Sequence, residues 1–161
     1  MATAAPARPQ AAPAQYAGFW IRVIAYIIDA AILGIPTFII FAVFGGGMAA
    51  MVRPNQDPSP AAAAAIVGTM GTMLLAVYAI YFCYFIFMES SAKQATLGKM
   101  VLGLKVIDAN GQRISVGRSV GRTFSKLLSG ILCIGYIMVG VTEKKQGLHD
   151  MIAGTLVVRT K

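Results

Sequence analysis

Apolar positions along this chain gather into two long runs and one short one, divided by segments of different character. Trp20 to Phe44 is apolar apart from Arg22 and Asp29, and Ile66 to Met88 carries no charge. Each run is long enough, at about 1.5 Å per helical residue, to cross a hydrocarbon core of ~30 Å, so each is predicted as a transmembrane helix. The third run, Leu127 to Thr142, reaches only ~24 Å as a helix, which is marginal for a crossing. Ser115 to Ser129, which overlaps it, places basic Arg118, Arg122 and Lys126, small Gly117, Gly121, Ser125 and Ser129, and apolar Val116, Val120, Phe124, Leu127 and Leu128 in three stripes at helical spacing. That pattern predicts an amphipathic helix lying in the membrane interface. Leu104 to Asp108 and Arg113 to Val116 flank Asn110-Gly111, a pair suited to a tight turn, and predict a small cytoplasmic β-hairpin. Thr155 to Arg159 is β-prone and is placed to add a strand to it. Gly45 to Pro60 reads as a loop, and Met1 to Ala17, rich in Ala, Pro and Gln, as a disordered tail ahead of a membrane domain at 18–161.

The expected fold class is therefore an α-helical integral membrane protein with two clear spans and a marginal or re-entrant third segment. Composition agrees: 57% of residues are apolar, 12% are charged and mean hydropathy is +0.70, against about 25% charged residues in a soluble domain. The run beginning at Phe19 is too long for a signal-peptide core, so it is expected to be retained. Charge supplies orientation. Lys93, Lys99, Lys105, Arg113, Arg118 and Arg122 follow the second span against Glu89 and Asp108 alone. By the positive-inside rule that segment and the N-terminus are cytoplasmic, in a multi-pass inner-membrane protein. For the third segment, a hydropathy window from Thr123 to Val141 favours a full crossing. The positive charges of Lys144, Lys145, Arg159 and Lys161 favour Gly130 to Val141 as re-entrant or half-spanning, with a cytoplasmic C-terminus.

The candidate chemistry centres on Asp29, which by residue count lies ~15 Å along the first span, where an ionisable group is costly and is a functional hypothesis by default. Arg22 lies seven residues earlier on nearly the same helix face, with Tyr26 between them, but ~10 Å away along the axis. Asp29 therefore needs a partner from elsewhere, or a proton; a buried polar lock between helices and a transport role are both open readings. Pro36, with Gly34, is expected to bend the helix just beyond it. The basic stripe Arg118, Arg122 and Lys126 is a candidate surface for anionic lipid headgroups, with a solvated face that only sets topology as the alternative. Cys83 and Cys133 read as small hydrophobes. Gln94 to Met100 is not a phosphate loop, because the first glycine is missing and Met100 stands where a magnesium ligand belongs. With one histidine and no acid/base constellation, neither an enzyme nor a cofactor or metal is expected, and His149-Asp150 reads as a structural turn or cap. No nucleic-acid partner is expected.

Three blocks resemble a known family in order: Ala17-Gly18-Phe19-Trp20 with Arg22 and Asp29; Gly98-Lys99 leading into Gly103-Leu104-Lys105-Val106-Ile107-Asp108; and Leu148-His149-Asp150-Met151-Ile152-Ala153-Gly154-Thr155. Together they are similar to the RDD-domain membrane proteins of bacteria, from about Ala17 to Lys161. The resemblance implies that Arg22 and Asp29 are two of the family's three named charges. It assigns the third to Asp150, with Asp108 as the alternative. It also implies a transport-related role, with cation/proton exchange proposed for some members. Asp29 would then be the responsive group, and Arg22 would pair with a tail acid or a lipid phosphate. So few helices can hardly enclose a pathway, so a homo-oligomer or partner membrane proteins are expected. The reading of a different class is a membrane scaffold or accessory subunit, docking through small-residue stripes such as Ala64, Gly68, Thr72 and Ala76.

Overall fold

The structure is a computed structural model that describes residues 15–52, 57–132 and 134–160. The expectation of a disordered tail falls, for residues 1–14, outside the described residues, as does the reading of Cys133. Two helices dominate: α1, Phe19–Met51, and α2, Pro60–Ser90. Both are long and apolar enough to cross a membrane. Ser59 caps α2, its Oγ accepting the Ala62 N–H at 3.2 Å, with Pro60 at the first helical position where its missing N–H costs nothing. The expected loop from Gly45 is corrected: α1 continues through Gly45, Gly46 and Gly47 to Met51. Where water is absent, a helix is the cheapest way to satisfy backbone N–H and C=O groups, and this outweighs the weak helix propensity of glycine. Pro36 sits inside this unbroken helix.

Beyond α2, a small subdomain packs onto the ends of the two long helices. It comprises α3, Leu97–Val101; β1, Leu104–Asp108; α4, Val116–Leu132; α5, Ile134–Val141; α6, Leu148–Ala153; and β2, Thr155–Arg159. Strand β1 pairs antiparallel with β2, Leu104 opposite Arg159 and Asp108 opposite Thr155. The chain before α1 adds to the far edge of β2: Ala17 N–H donates to Val157 O at 2.9 Å, and Arg159 N–H to Gln15 O at 2.8 Å. Gln15–Ala17 is thus fixed in place, a correction to the disordered-tail boundary at 17. Ala17, Leu104, Val106, Ile114 and Val157 form the buried core with Ala25 of α1.

The expected hairpin is also corrected. Asn110-Gly111 does turn the chain, with Gly111 at φ +78°, but Arg113–Val116 forms no strand, and a lone bridge joins Ile107 to Arg113. Asp108 holds the turn, its Oδ1 accepting the N–H groups of Asn110 at 2.9 Å and Gln112 at 2.8 Å. The tail strand β2 supplies the pairing instead, because alternate residues Leu104 and Val106 on β1 and Val157 on β2 must all enter the core.

Helix α4 has the opposite orientation to a soluble amphipathic helix. Ser119, Arg122, Thr123, Ser125 and Ser129 are buried, while Val116, Phe124, Leu127 and Leu128 are exposed. The expected outward basic face is therefore corrected: Arg122 and Lys126 turn inward. Glu89 and Asp150 lie on that side, and charges beside apolar surroundings are retained where opposite charges meet them. Arg118 alone stays half exposed, 3.4 Å from Asp108.

Candidate functional site: a buried charge cluster at the ends of the spans

Two polar constellations sit where α1 and α2 meet the subdomain. The first surrounds Asp29, which is almost fully buried. Its Oδ1 accepts from the Tyr84 hydroxyl at 2.6 Å and the Gly98 N–H at 2.7 Å, and its Oδ2 from the Thr96 hydroxyl at 2.6 Å. The carboxylate is thus held by neutral donors from α2 and from the start of α3. The partner expected from elsewhere is, among the described residues, a set of hydrogen-bond donors in place of a paired cation. Tyr84 also accepts the Leu97 N–H at 3.0 Å, so one hydroxyl ties α1, α2 and α3 together. Helix α3 can come this close because residue 98 is glycine: a Cβ there would lie 2.1 Å from Ala25 O and 2.9 Å from Asp29 Cγ.

The second constellation is ionic. Arg22 donates to Asp150 Oδ2, to Ala17 O at 3.0 Å and to Lys145 O at 2.6 Å, clamping the start of α1 to the turn before α6. Arg122 of α4 bridges two acids, its Nη2 2.6 Å from Asp150 Oδ1 and its Nη1 3.0 Å from Glu89 Oε2. The other oxygen of Glu89 meets Lys99 Nζ at 2.6 Å and Lys126 Nζ at 3.2 Å. Lys126 also lies 4.2 Å above the Phe85 ring. Asp150 in turn accepts the Gly147 N–H at 3.3 Å at the start of α6, and Gly154 ends that short helix in the left-handed conformation. Among the described residues no buried side-chain nitrogen or oxygen lacks a hydrogen-bond partner.

Electrostatics follow from this closure. Burial opposes the charge on Asp150, but Arg122 and Arg22 outweigh it and hold its carboxyl well below the usual carboxylate range. Burial likewise opposes charge on Arg122, and Asp150 and Glu89 more than compensate, raising its pKa. Lys99 is different: burial brings its ammonium down to about 7 despite Glu89. Burial pushes His149 down to about 3, against the pull of Asp150 3.5 Å away. His149 is therefore neutral when folded, and its ordinary value of 6.5 applies only when unfolded. Between those two values the unfolded chain binds the extra proton, so the stability contributed by neutral His149 is present above pH 6.5 and lost as pH falls toward 3. Unfolding midpoints of the detergent-solubilised protein should drop across that window, by up to ~1.4 kcal/mol per pH unit from this residue, and His149→Gln should flatten the slope.

Of the residues singled out in the sequence, Arg22, Asp150, Arg122, Lys126 and His149 are brought together, with Asp29 beside them and half-exposed Tyr26 lining the same cavity. Asp108, at the end of β1, and Arg118, in the first turn of α4, lie outside the cluster, so Asp150 is the aspartate that meets Arg22. Pro36 lies two turns beyond Asp29 and enters neither constellation. The sequence reading gave no site role to Glu89, Tyr84, Thr96, Gly98 or Lys99, although Gly98-Lys99 stood in one of the blocks that carry the family resemblance. Glu89 carried one usable signal, an acid closing an otherwise uncharged span just ahead of a basic segment.

Residues 16–154 match the model of the RDD family. The chain belongs to the RDD family. It is 42% identical over 147 residues, 88% of this chain and 96% of the relative, to the uncharacterized protein YxaI of Bacillus subtilis (strain 168). It is 27% identical over 150 residues to YckC of the same organism, covering 88% of this chain and 83% of that one. Identity with part of the membrane protein YteJ, also from B. subtilis, is 40% over 72 residues, 41% of each chain. No solved structure matches. This RDD chain is thus a membrane-associated protein with two apolar helices and a small two-stranded sheet.

Proposed function

We propose that this RDD chain is a structural subunit of the bacterial inner membrane, a scaffold that docks other membrane helices, in place of a cation carrier acting alone. The observation that carries the reading is the closure of its carboxylates. Both oxygens of Asp29 are occupied by neutral donors, and Glu89 and Asp150 are held by four cationic side chains. A carboxylate that exchanges a proton for a cation has to release its partners, and every oxygen of these three is engaged. What remains outward is apolar: Ile35, Phe38 and Ile39 on α1, and Val67 and Leu75 on α2. Gly68 and Thr72 are also exposed on α2, so a helix of a second copy can approach closely along that face. The full chain in gentle detergent should run as a dimer or larger assembly by native mass, and Gly68→Leu should shift it toward monomer. A wild-type monomer indifferent to that change would contradict the reading.

Orientation follows the same logic. Strand pairing between β1 and β2 requires the segment after α2 and the C-terminal tail to share one side, and the basic residues favour the cytoplasm. Under this reading α4 lies in the interface with Phe124, Leu127 and Leu128 toward lipid, and the eight-residue α5 dips in without crossing. A cysteine introduced beyond Lys145, after replacement of Cys83 and Cys133, should resist an impermeant thiol reagent from the periplasmic side. Labelling there would establish a third crossing.

Cation/proton exchange remains the second reading. It is favoured by one observation, that Asp29, Tyr26 and Lys99 line one cavity of about 590 Å³.

A further inference from the structure

That cavity has a charge imbalance which the scaffold reading leaves unused. Four cationic side chains, Arg22, Lys99, Arg122 and Lys126, line it. The acids in contact with them are Glu89 and Asp150, and Asp29 lines the same space. With His149 neutral and Lys99 protonated, four positive charges among the described residues stand against three carboxylates, and the charge of Asp29 is spread over hydroxyl and amide donors. An unbalanced positive charge in a buried site is costly until an anion joins it. Lys99 and Lys126 converge on a single oxygen of Glu89, and an ammonium carries three N–H donors, of which Lys99 commits one to that oxygen. The volume, about 590 Å³, is that of a small-molecule site. The rest of the wall is apolar or aromatic, including Tyr81, Phe85, Ile137 and Val139. Tyr26, on a spanning helix and 54% exposed, also lines it, so the cavity reaches the lipid-facing surface of α1.

We propose that this cavity binds a singly charged phosphate oxyanion, carried by a phosphodiester lipid headgroup whose apolar chain leaves past Tyr26. The phosphodiester supplies the one missing negative charge, Lys99 and Lys126 supply point-charge donors, and Arg22 and Arg122, already committed to Asp150 and Glu89, fix the field without moving. The titration of Lys99 supports the same site. The groups facing it are Glu89 from α2, Asp29 across the cavity from α1, and Arg122 and Lys126 from α4. An added anion favours its protonated form, so binding takes up a proton and tightens as pH falls through 7.

The test uses the delipidated full chain in neutral detergent, with lipid retention followed by native mass spectrometry and affinity by titration. One phosphatidylglycerol should be retained per chain, about tenfold more tightly than phosphatidylcholine, whose choline brings a second cation to the cluster. Lys99→Gln should weaken phosphatidylglycerol by about tenfold, and wild-type affinity should fall between about pH 6 and about pH 8. Displacement of the lipid by inorganic phosphate at the same concentration would keep the oxyanion site and assign it to a soluble phosphate. Equal retention of the two lipids, with no pH dependence in the wild type, would overturn the proposal even if Lys99→Gln failed to fold.

Discussion

Gly98→Ala should abolish accumulation of folded protein in the membrane. The added methyl group has nowhere to go, since its carbon would sit 2.1 Å from the Ala25 carbonyl oxygen and 2.9 Å from Asp29 Cγ. Relief requires α3 to move off α1, and that movement breaks the Gly98 N–H bond to Asp29 and draws Thr96 away with it. Overpacking alone costs about 1–3 kcal/mol. A buried carboxylate that loses a donor adds roughly another 1–3 kcal/mol, which together approaches the whole stability of a small domain. Membrane-fraction yield and denaturation in mixed micelles both measure the effect. A Gly98→Ala protein with wild-type yield and stability would mean that α3 does not dock on α1 as described.

The second large effect belongs to Glu89, which takes Lys99, Arg122 and Lys126 on its two oxygens. Glu89→Gln keeps the shape of the side chain and removes its charge, leaving three cations buried near Asp150 alone. Breaking a buried pair from one side typically costs about 3–5 kcal/mol, because the remaining charge stays desolvated. Glu89→Gln combined with Lys126→Met should recover part of that loss, since one orphaned cation is removed as well. Unfolding measured for the two single variants and the double variant gives the coupling directly. Additive losses would show that Glu89 and Lys126 do not interact.

The two spans were legible because uninterrupted apolar runs of that length have few other fates, and Arg22 and Asp29 because charges are conspicuous against them; Asp150 was reached only through the family resemblance. The partners of Asp29 were not legible. Gly98 and Thr96 stand 69 and 67 residues away, and nothing in the local pattern around either says which carboxylate it meets. Glu89 looked like punctuation at the end of a span, a position that a topology signal and a buried ion pair occupy equally well. The stripes of α4 were seen correctly as stripes, but their direction was reversed. Periodicity separates faces without saying which one meets protein, and beside a membrane the apolar face can point outward. The triple glycine at 45–47 marks a loop in water and continues a helix where backbone groups have no water to bind. Pairing of β1 with β2 depends on a contact across most of the subdomain, so only the β-prone composition of the tail hinted at it.

The closed state of Asp29 separates the scaffold from the exchanger, and flux across a sealed bilayer measures that difference most directly. Wild-type protein and Asp29→Asn, reconstituted in proteoliposomes, would be followed for proton movement on imposition of a sodium or potassium gradient. The asparagine oxygen can still accept from Tyr84 and Gly98, and its amide can donate to the Thr96 hydroxyl, so the variant should fold and insert. Neither protein should move protons above empty vesicles. Cation-dependent proton flux in the wild type that disappears in Asp29→Asn would contradict the account.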